Sequence, residues 1–398
     1  MTRKDFIKHT AALGLGLPFL SSLLTSCSQS SLFAEDVTPT FTGKVLIVGA
    51  GSAGLMAGYL LKQYNVDFQI LEASSVFGGR VKKIEAFADF PIDLGAEWIH
   101  TNPQILNQLL NDEEKEVDIE TIRYNPKTLM LWDDGKLKKR SFYAQFYGED
   151  KFASTTWYDF FDQYIVPSIA DRITYDSPVA EINYSGTSIS VINTAGARYE
   201  ADKVIVTVPL TVLQDGDIQF SPAYPQAKVE AMNQVTMPDG IKVFMEFSER
   251  FYPDMLGFGA LGEFLSSSEG EKLYYDAAFK KESDRNILGL FTVGDISSVY
   301  TQIPTDEELI RFILAELDEI FEGKASQTFV KHISQNWSAT PFIRGSYTHY
   351  EDYSVQQVLA EPIDSKIYFA GEAYPEASST VHGAAMSSYT AVEAILQS

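Results

Sequence analysis

The fold of this chain follows from the run Lys44-Val45-Leu46-Ile47-Val48-Gly49-Ala50-Gly51-Ser52-Ala53-Gly54. Its apolar residues are typical of a strand buried on both faces, and they lead directly into a G-x-G-x-x-G turn. A helical pattern follows over residues 55–63, and a second strand is expected over residues 67–71. This order of strand, glycine turn, helix and strand predicts a βαβ unit that binds a dinucleotide.

Each glycine of the turn has a separate physical role in such a unit. Gly49 makes the tight turn, Gly51 lets the backbone approach a pyrophosphate, and Gly54 lets helix and strand pack closely. The pyrophosphate would lie on the unpaired N–H groups at the start of the helix. Glu72, about 20 residues further on, is the acid expected to accept hydrogen bonds from a ribose diol.

The motifs that follow indicate which dinucleotide the glycine turn binds. Glu72-Ala73 is followed by Gly78-Gly79-Arg80 and then by the stretch Asp-Leu-Gly-Ala-Glu-Trp-Ile-His at residues 93–100. This resembles the FAD-dependent amine oxidase family, which includes monoamine oxidases, polyamine oxidases and flavin-type histone demethylases. The resemblance implies that the Gly-Gly-Arg turn lies along the diphosphate and that Gly-Ala-x-Trp passes close to the flavin ring.

The resemblance continues in family order to the end of the chain. It includes a strand block at Val179, a strand carrying Lys242, the block Trp337 with Gly345-Ser346-Tyr347, and the closing segments at residues 367–373 and 379–384. Thr380 is expected to open a last helix that ends near residue 396. The cofactor-binding residues that the resemblance implies are Gly49, Gly51, Ser52, Ala53, Gly54, Glu72, Ala73, Gly79, Arg80, Gly95, Ala96, Glu97, Trp98, Val179, Trp337, Gly371, Glu372, Thr380 and Val381.

The resemblance also implies how the flavin is held. Ser346 falls where monoamine oxidases carry the cysteine that bonds to the flavin. Because serine offers no thiolate, we expect noncovalent FAD.

Four residues are expected to carry or flank the chemistry. Lys242 interrupts an apolar strand, where a buried ammonium needs a partner. The matching family lysine reaches a water bonded to flavin N5. The alternative is a snorkelling or edge-strand lysine, which strands commonly carry. Monoamine oxidases flank the flavin with two tyrosines; this chain matches one of them, Tyr347, and has Thr380 where the second would fall. His100 resembles a histidine of spermine-type oxidases, and a loop histidine is its alternative.

Glu97 is the candidate for substrate choice. Its carboxylate is expected to bind a remote ammonium of the substrate, or to face solvent. With half of the tyrosine pair missing, this favours a di- or polyamine over a compact arylalkylamine.

The expected reaction is oxidation of an amine C–N bond to an imine, with hydride transfer to flavin N5. O2 then reoxidises the flavin to give H2O2, and water hydrolyses the imine to an aldehyde. The histidines show no ligand spacing, so no metal is expected. One alternative is a flavoenzyme of this fold acting on an L-amino acid or a cyclic hydrocarbon, with Arg344 as the candidate carboxylate partner. The other is a lipoprotein that holds FAD and produces no peroxide.

The composition of the chain limits the kinds of molecule that it is expected to bind. The 398 residues are 45% hydrophobic, which is enough for one large or two moderate cores. The net charge of −23 argues against nucleic-acid binding. It suits cationic small molecules, and it equally fits an ordinary acidic surface.

The N-terminus reads as a targeting segment. A charged start at residues 3–8 precedes an apolar stretch at residues 11–24 that is too short to span a membrane permanently. Leu24-Thr25-Ser26-Cys27 resembles a bacterial lipoprotein cleavage box, and Cys27 is the single cysteine. We therefore expect a signal peptide over 1–27, a lipid on Cys27 and a tether over 28–42. The protein would be exported and membrane-anchored, facing the periplasm or the cell exterior.

The expected architecture is an α/β flavoprotein of two domains. Segments 43–100, 176–220 and 346–398 would build a Rossmann-like FAD-binding domain, and segments 101–175 and 221–345 a smaller substrate domain of sheet and helix. Within the FAD-binding domain, a meander is expected to begin at Val179 and to continue through residues 188–193 and 204–208. Thr305 is expected to cap a helix that ends near residue 321.

Overall fold

A computed structural model describes residues 39–112, 114–144, 147–261 and 270–398. The predicted signal peptide with Cys27, and most of the predicted tether, lie outside these residues. The strands, in chain order, are β1 (Lys44–Val48), β2 (Asp67–Leu71), β3 (Lys83–Ile84), β4 (Ile92–Asp93), β5 (Trp98–Ile99), β6 (Thr121–Tyr124), β7 (Leu129–Asp133), β8 (Lys136–Lys139), β9 (Glu149–Phe152), β10 (Ile173–Thr174), β11 (Val179–Asn183), β12 (Ile189–Asn193), β13 (Arg198–Ala201), β14 (Lys203–Val206), β15 (Gln219–Ser221), β16 (Val235–Thr236), β17 (Gly240–Phe247), β18 (Met255–Phe258), β19 (Glu271–Asp276), β20 (Asn286–Val293), β21 (Phe329–Asn336), β22 (His349–Tyr350) and β23 (Ile367–Phe369).

The α-helices are fewer than the strands in the described ranges. In chain order they are α1 (Ser52–Gln63), α2 (Ile105–Leu110), α3 (Ser141–Ala144), α4 (Trp157–Phe160), α5 (Val166–Ile169), α6 (Leu210–Gln214), α7 (Gln226–Met232), α8 (Ser298–Thr301), α9 (Asp306–Ile320), α10 (Lys324–Thr328), α11 (Val355–Ala360) and α12 (Val381–Leu396). A π-helical turn, Phe161–Ile165, joins α4 to α5, and 3₁₀ turns occur at Ala170–Arg172 and Asp295–Ser297.

The apolar run of the first strand lies at the centre of a parallel sheet in the order β10-β2-β1-β14-β23. Alternate residues of β1 enter different cores: Val45 and Ile47 face one, and Leu46 and Val48 face the other. Helices α1 and α12 cover the first face, and the sheet of strands β11–β13 and β15 covers the second. Burial on both faces explains why the strand sequence is continuously apolar.

The two helices expected from their N-terminal signals form as predicted. Thr305 caps α9 by accepting the N–H of Glu308, and Thr380 caps α12 by accepting the N–H of Gly383. The α/β fold with a Rossmann-like FAD-binding domain is confirmed.

The predicted meander is wrong in its last strand. The residues after position 203 form β14, which pairs in parallel with β1 in the central sheet. The place beside β11 is taken by β15, which runs parallel to it. Strands β12 and β14 are both largely apolar, and their sequence pattern does not show which sheet each of them joins.

The substrate side is built on a seven-stranded sheet in the order β21-β17-β20-β19-β18-β7-β8. Helix α9 packs on one face through Leu309, Ile313 and Leu317. The other face carries Phe244 and Tyr275 and turns towards the FAD-binding side. The site therefore lies between the central parallel sheet and this second sheet.

The predicted boundary within segment 101–175 does not match the packing. The helical stretch at residues 157–169 packs into the same core as α1, and β10 is an edge strand of the parallel sheet. These residues belong structurally with the FAD-binding side, because their aromatic side chains fill the space beneath α1.

None of the described helices has both the length and the apolar composition needed to span a membrane.

Candidate active site

A large cavity of about 2310 Å³ runs between the two sheets. Most of the residues that the sequence singled out line it: Gly49, Gly51, Ser52, Ala53, Glu72, Ala73, Gly79, Arg80, Gly95, Ala96, Glu97, Trp98, His100, Val179, Lys242, Trp337, Tyr347, Gly371, Glu372, Thr380 and Val381. Gly54 is not in the lining. A cavity larger than the 300–1,000 Å³ usual for one small ligand has room for a dinucleotide and a substrate.

The glycine turn has the geometry that a pyrophosphate needs. Gly49 has φ of +107°, which favours glycine, and a Cβ on Gly54 would lie 1.9 Å from the carbonyl oxygen of Gly49. A Cβ on Gly51 would meet only the carbonyl oxygen of Gly78, at 3.9 Å, because that side of the residue faces the cavity. In the described chain no side chain caps the N-terminus of α1, so its N–H groups remain available to an anion.

Glu72 marks the nucleoside end of the cavity. Its carboxylate accepts the backbone N–H of Ala50 at 2.6 Å and that of Ser74 at 2.8 Å. Burial raises the pKa of Glu72, and these backbone bonds oppose the rise. Each oxygen keeps capacity for a further donor, as a ribose diol requires. Ala73 and Val179 line the same end.

The Gly-Gly-Arg turn lies directly beside the first glycine turn. Gly78 forms a bridge with Gly51 and donates its N–H to the carbonyl of Ala50 at 2.8 Å. Gly79 has φ of +59°, and a Cβ there would come within 3.5 Å of the Cα of Gly51. The two turns form one glycine-lined wall along the cavity.

Arg80 and Glu372 connect the two ends of the chain across the site. The guanidinium of Arg80 lies 2.9 Å from Glu372 and also donates to the carbonyl of Ser346. Glu372 accepts the hydroxyl of Thr348 at 2.6 Å and the N–H of Ser379 at 3.2 Å. Its carboxylate therefore holds three segments together, and its predicted contact with the cofactor stays a prediction.

The stretch at residues 95–98 passes under Trp337. A Cβ on Gly95 would lie 1.9 Å from the carbonyl oxygen of Arg80 and 3.1 Å from the Trp337 ring. The indole N–H of Trp337 donates to the carbonyl of Leu94 at 3.1 Å. Glycine at position 95 is thus required for this close packing, which places Ala96 and Trp98 in the cavity wall.

Lys242 is buried, and its ammonium has three protein acceptors. Its Nζ lies 2.8 Å from the carbonyl oxygen of Asp93, 3.1 Å from that of Gly95 and 2.9 Å from Oε2 of Glu97. An ammonium has three donors, so a bond to a water beside the flavin would require one of these contacts to be exchanged. Lys242 is therefore held by ionic and backbone contacts, and is neither a snorkelling nor an edge-strand lysine.

Glu97 does not have the surroundings expected of a substrate anchor. It is 6% exposed, and it pairs with Lys242, with Lys151 at 3.3 Å, and with the hydroxyl of Tyr275. Burial alone would raise the pKa of Glu97, but the two lysines outweigh it and lower the pKa to about 2. The prediction that Glu97 faces solvent is wrong, because its side chain is buried. Two ammoniums of the chain itself already pair with its carboxylate, which disfavours the predicted role as anchor of a remote substrate ammonium.

The other predicted chemical residues occupy different parts of the wall. His100 pairs through Nδ1 with Glu149 at 2.9 Å. The hydroxyl of Thr380 accepts the N–H of Gly383 and donates to Ala377, so it serves as a helix cap. Tyr347 is half-buried in the lining.

Arg344 is already paired within the protein. Its guanidinium lies 2.8 Å from Asp215 and 2.6 Å from Asp217.

Sequence reasoning missed Lys151, Tyr275 and the role of Asp93. Lys151 lies in the stretch Glu149–Phe152, whose charged residues are typical of an exposed strand, yet Lys151 is 1% exposed. Its partner Glu97 is 54 positions away, and no local pattern signals such a pair. In the described ranges, no group of three or more His, Cys, Asp or Glu side chains could hold a metal ion.

The fold and this cavity together define a class of protein. The family model "Flavin containing amine oxidoreductase" matches residues 137–396, and the model "NAD(P)-binding Rossmann-like domain" matches residues 47–112. The first match spans more than half of the chain, so the chain belongs to the flavin-containing amine oxidoreductase family. The open glycine wall and Glu72 fit FAD, which is the cofactor of this site.

Individual relatives are distant. The chain is 27% identical to mouse Lysine-specific histone demethylase 1B over 64% of this chain and 30% of that protein. It is 26% identical to Polyamine oxidase 6 of Oryza sativa subsp. japonica over 94% of this chain and 95% of that protein. The chain thus spans less than a third of the demethylase but nearly all of the plant oxidase.

A solved structure of putrescine oxidase with bound putrescine superimposes with a TM-score of 0.71. The alignment covers 89% of this chain and 99% of that chain at 17% identity. At that identity the likeness shows a shared fold alone.

Proposed function

We propose that this protein is an FAD-dependent amine oxidase that converts an amine C–N bond to an imine. O2 is the electron acceptor, H2O2 the product, and hydrolysis of the imine gives an aldehyde. Bound FAD supplies the acceptor for the hydride. The observation that carries the proposal is the cavity itself, which joins a dinucleotide-shaped wall to a compartment whose carboxylates outnumber its lysines and arginines.

The charges of the wall favour an amine over an amino acid. In the described lining the two arginines are Arg80 and Arg344, and both are ion-paired with carboxylates of the chain. A substrate carboxylate would have to displace one of those partners. An amine carries no such group, and its positive form is attracted by the acidic wall.

The residues of the chain have separate tasks in this reaction. Trp337 and Gly95 pack together in one part of the cavity wall, and Tyr347 contributes an aromatic ring to the same lining. Lys242 places a fixed positive charge in the wall. The N-terminus of α12, capped by Thr380, lines the cavity, and its positive dipole end would stabilise negative charge on a reduced flavin bound against it.

For the substrate class we infer a di- or polyamine, with Glu271 as the anchor of its second ammonium. Glu271 lines the cavity and is half-buried. It has no ion pair within the described residues, in contrast to Glu97, Glu149 and Glu372. A free carboxylate in a cavity is the group that a remote ammonium would bind.

Strand register supports this position for Glu271. Glu271 pairs with Val293, and Val293 pairs with Gly240. Directly opposite residues share a face of the sheet, and Lys242, two residues from Gly240, shares it too. Two strand spacings separate Glu271 from Gly240, about 10 Å, which a diamine or longer chain can bridge.

The experiment is the ratio of kcat/KM for spermidine to kcat/KM for phenylethylamine. We expect the parent to prefer spermidine and Glu271→Gln to lower the ratio roughly ten- to a hundredfold, because a charge-assisted contact is worth about 1.5–3 kcal/mol. The matched control is Glu351→Gln, since Glu351 also lines the cavity but is exposed and lies outside the sheet. A parent that prefers phenylethylamine, or an equal effect of both substitutions, would contradict the polyamine assignment.

A further inference from the structure

A second buried lysine lies behind the wall that carries Lys242. Lys151 donates to Oε1 of Glu97 at 3.3 Å and to the carbonyl of Ala277 at 3.1 Å. Among the described residues, Glu97 is the only carboxylate within ion-pair distance of Lys151. Because a buried ammonium without a counter-ion is strongly destabilising, Glu97 must serve as counter-ion to both lysines.

Aromatic rings hold Lys151 in this position. Its Nζ lies 5.2 Å from the ring centroid of Tyr124, 5.4 Å from that of Trp98 and 5.9 Å from that of Tyr275. Ring faces attract a cation, so these rings hold the ammonium in place, and the side chain is 1% exposed. Tyr275 also donates its hydroxyl to Glu97.

The two oxygens of Glu97 divide these contacts. Oε1 receives Lys151, whereas Oε2 receives Lys242 and Tyr275. Lys151 and Tyr275 thus fix the rotation of the carboxylate, and the carboxylate fixes the ammonium of Lys242. The result is a continuous ionic chain from Lys151 through Glu97 to the cavity wall.

Two ammoniums share one carboxylate in this group. Asp93 adjoins it with a buried Oδ1 that has no hydrogen-bond partner in the described chain. Burial, and then repulsion from Glu97, raise the pKa of Asp93 well above its usual value, against the opposing effects of Lys242, Lys281 and Lys151. Asp93 forms no ion pair in the described residues, so the ammoniums of Lys151 and Lys242 share one paired carboxylate, that of Glu97.

We propose that Lys151 is a positioning residue for the flavin site, which through Glu97 fixes Lys242 and supplies a second positive charge behind the wall. The inference rests on the proposed function only in placing the flavin ring at this wall. The reduced ring carries more negative charge than the oxidised ring, so this second positive charge favours reduction.

The test is the midpoint potential of the bound flavin, measured in the holoprotein against a redox dye during chemical reduction without any amine. Lys151→Met is expected to lower the potential, displacing the dye–flavin equilibrium roughly tenfold, as loss of a partly screened unit charge would. Lys151→Arg should restore the parent potential. The matched control is Lys228→Met, because Lys228 is equally buried, lies 4.2 Å from the Phe369 ring and is not in the cavity lining.

Glu97→Gln gives the opposite sign. This substitution removes a negative charge and leaves both ammoniums, so the midpoint potential of the flavin should rise. If Lys151→Met loses its flavin, the potential of Glu97→Gln alone tests the proposal. Loosened packing would not move the two variants in opposite directions. An unchanged potential in Lys151→Met, a lowered one in Glu97→Gln, or an equal shift in Lys228→Met would overturn the proposal. Since the titration uses no amine, a result that contradicts the role of Lys151 can be distinguished from a result that contradicts amine oxidase activity.

Discussion

The ammonium of Lys242 lies 2.9 Å from the carboxylate of Glu97, and both groups are buried in the wall of the cavity. A buried pair of this kind is costly to break, because removing one partner leaves the other charge uncompensated. Here Lys151 gives Glu97 a second partner. The carboxylate is therefore still neutralised when Lys242 is removed, which makes substitution of Lys242 informative.

Lys242→Met is expected to retain FAD and to slow turnover, chiefly in the half-reaction with O2. The substitution keeps the side-chain length and removes the positive charge that faces the cavity. Stopped-flow absorbance separates flavin reduction by amine from reoxidation by O2. Reoxidation at the parent rate would show that Lys242 has only a structural role.

Gly51→Val is expected to abolish flavin binding while the protein stays folded. A side chain at Gly51 points into open space in the protein, and its φ of −77° suits valine, so the added methyl groups would fill only the cofactor's position. The contrasting variant is Gly54→Ala, whose Cβ would overlap the carbonyl of Gly49. Flavin-to-protein ratio and thermal unfolding of the apoprotein report the two effects; a Gly51→Val protein that copurifies with stoichiometric flavin would refute the pyrophosphate assignment.

His382 should make stability depend on pH. Burial, with a smaller contribution from His100, lowers the pKa of His382 to about 4. Between that value and the ordinary pKa of about 6.5, the unfolded chain binds a proton that the folded chain does not. Its stabilising contribution is therefore complete above pH 6.5 and decreases as the pH falls, by about 2 kcal/mol between pH 7 and pH 5. Urea unfolding at both pH values should show a smaller decrease for His382→Gln than for the parent; equal decreases would mean that His382 titrates normally.

Cys27→Ser tests the proposed lipid anchor. We expect the mature domain to fold and bind FAD but to leave the membrane fraction, because the thiol that would carry the lipid is gone. Fractionation of cells that express the full chain gives the comparison. Equal partition of parent and variant into the membrane fraction would contradict a lipid anchor at Cys27.

Local signals in the sequence predicted the elements that position the cofactor. The glycine turn before α1, the acid at Glu72 and the threonine caps of α9 and α12 each involve residues close together in the chain, so their spacing carries the information. The conformations of Gly49 and Gly54 followed from the same motif.

The ionic contacts of the site were not predictable in this way. Lys242 and Glu97 are 145 positions apart in the chain. Lys151 lies in β9, whose charged sequence is typical of an exposed edge strand. A lysine in a strand has the same sequence pattern whether it is solvated or buried, since only the three-dimensional contacts supply its counter-ion. The sheet assignment of β14 failed for the same reason, because strand pairing depends on distant partners.

The most direct test of the central claim is the absorbance of the bound flavin under anaerobic conditions with added amines. We predict that a di- or polyamine bleaches the visible absorbance of the bound flavin on the timescale of turnover, and that readmitted O2 restores the colour with formation of H2O2. A protein whose bound flavin is bleached by L-amino acids but by no amine would be a different oxidase of this fold. Flavin that no amine in a panel of mono-, di- and polyamines can bleach would contradict the assignment as an amine oxidase.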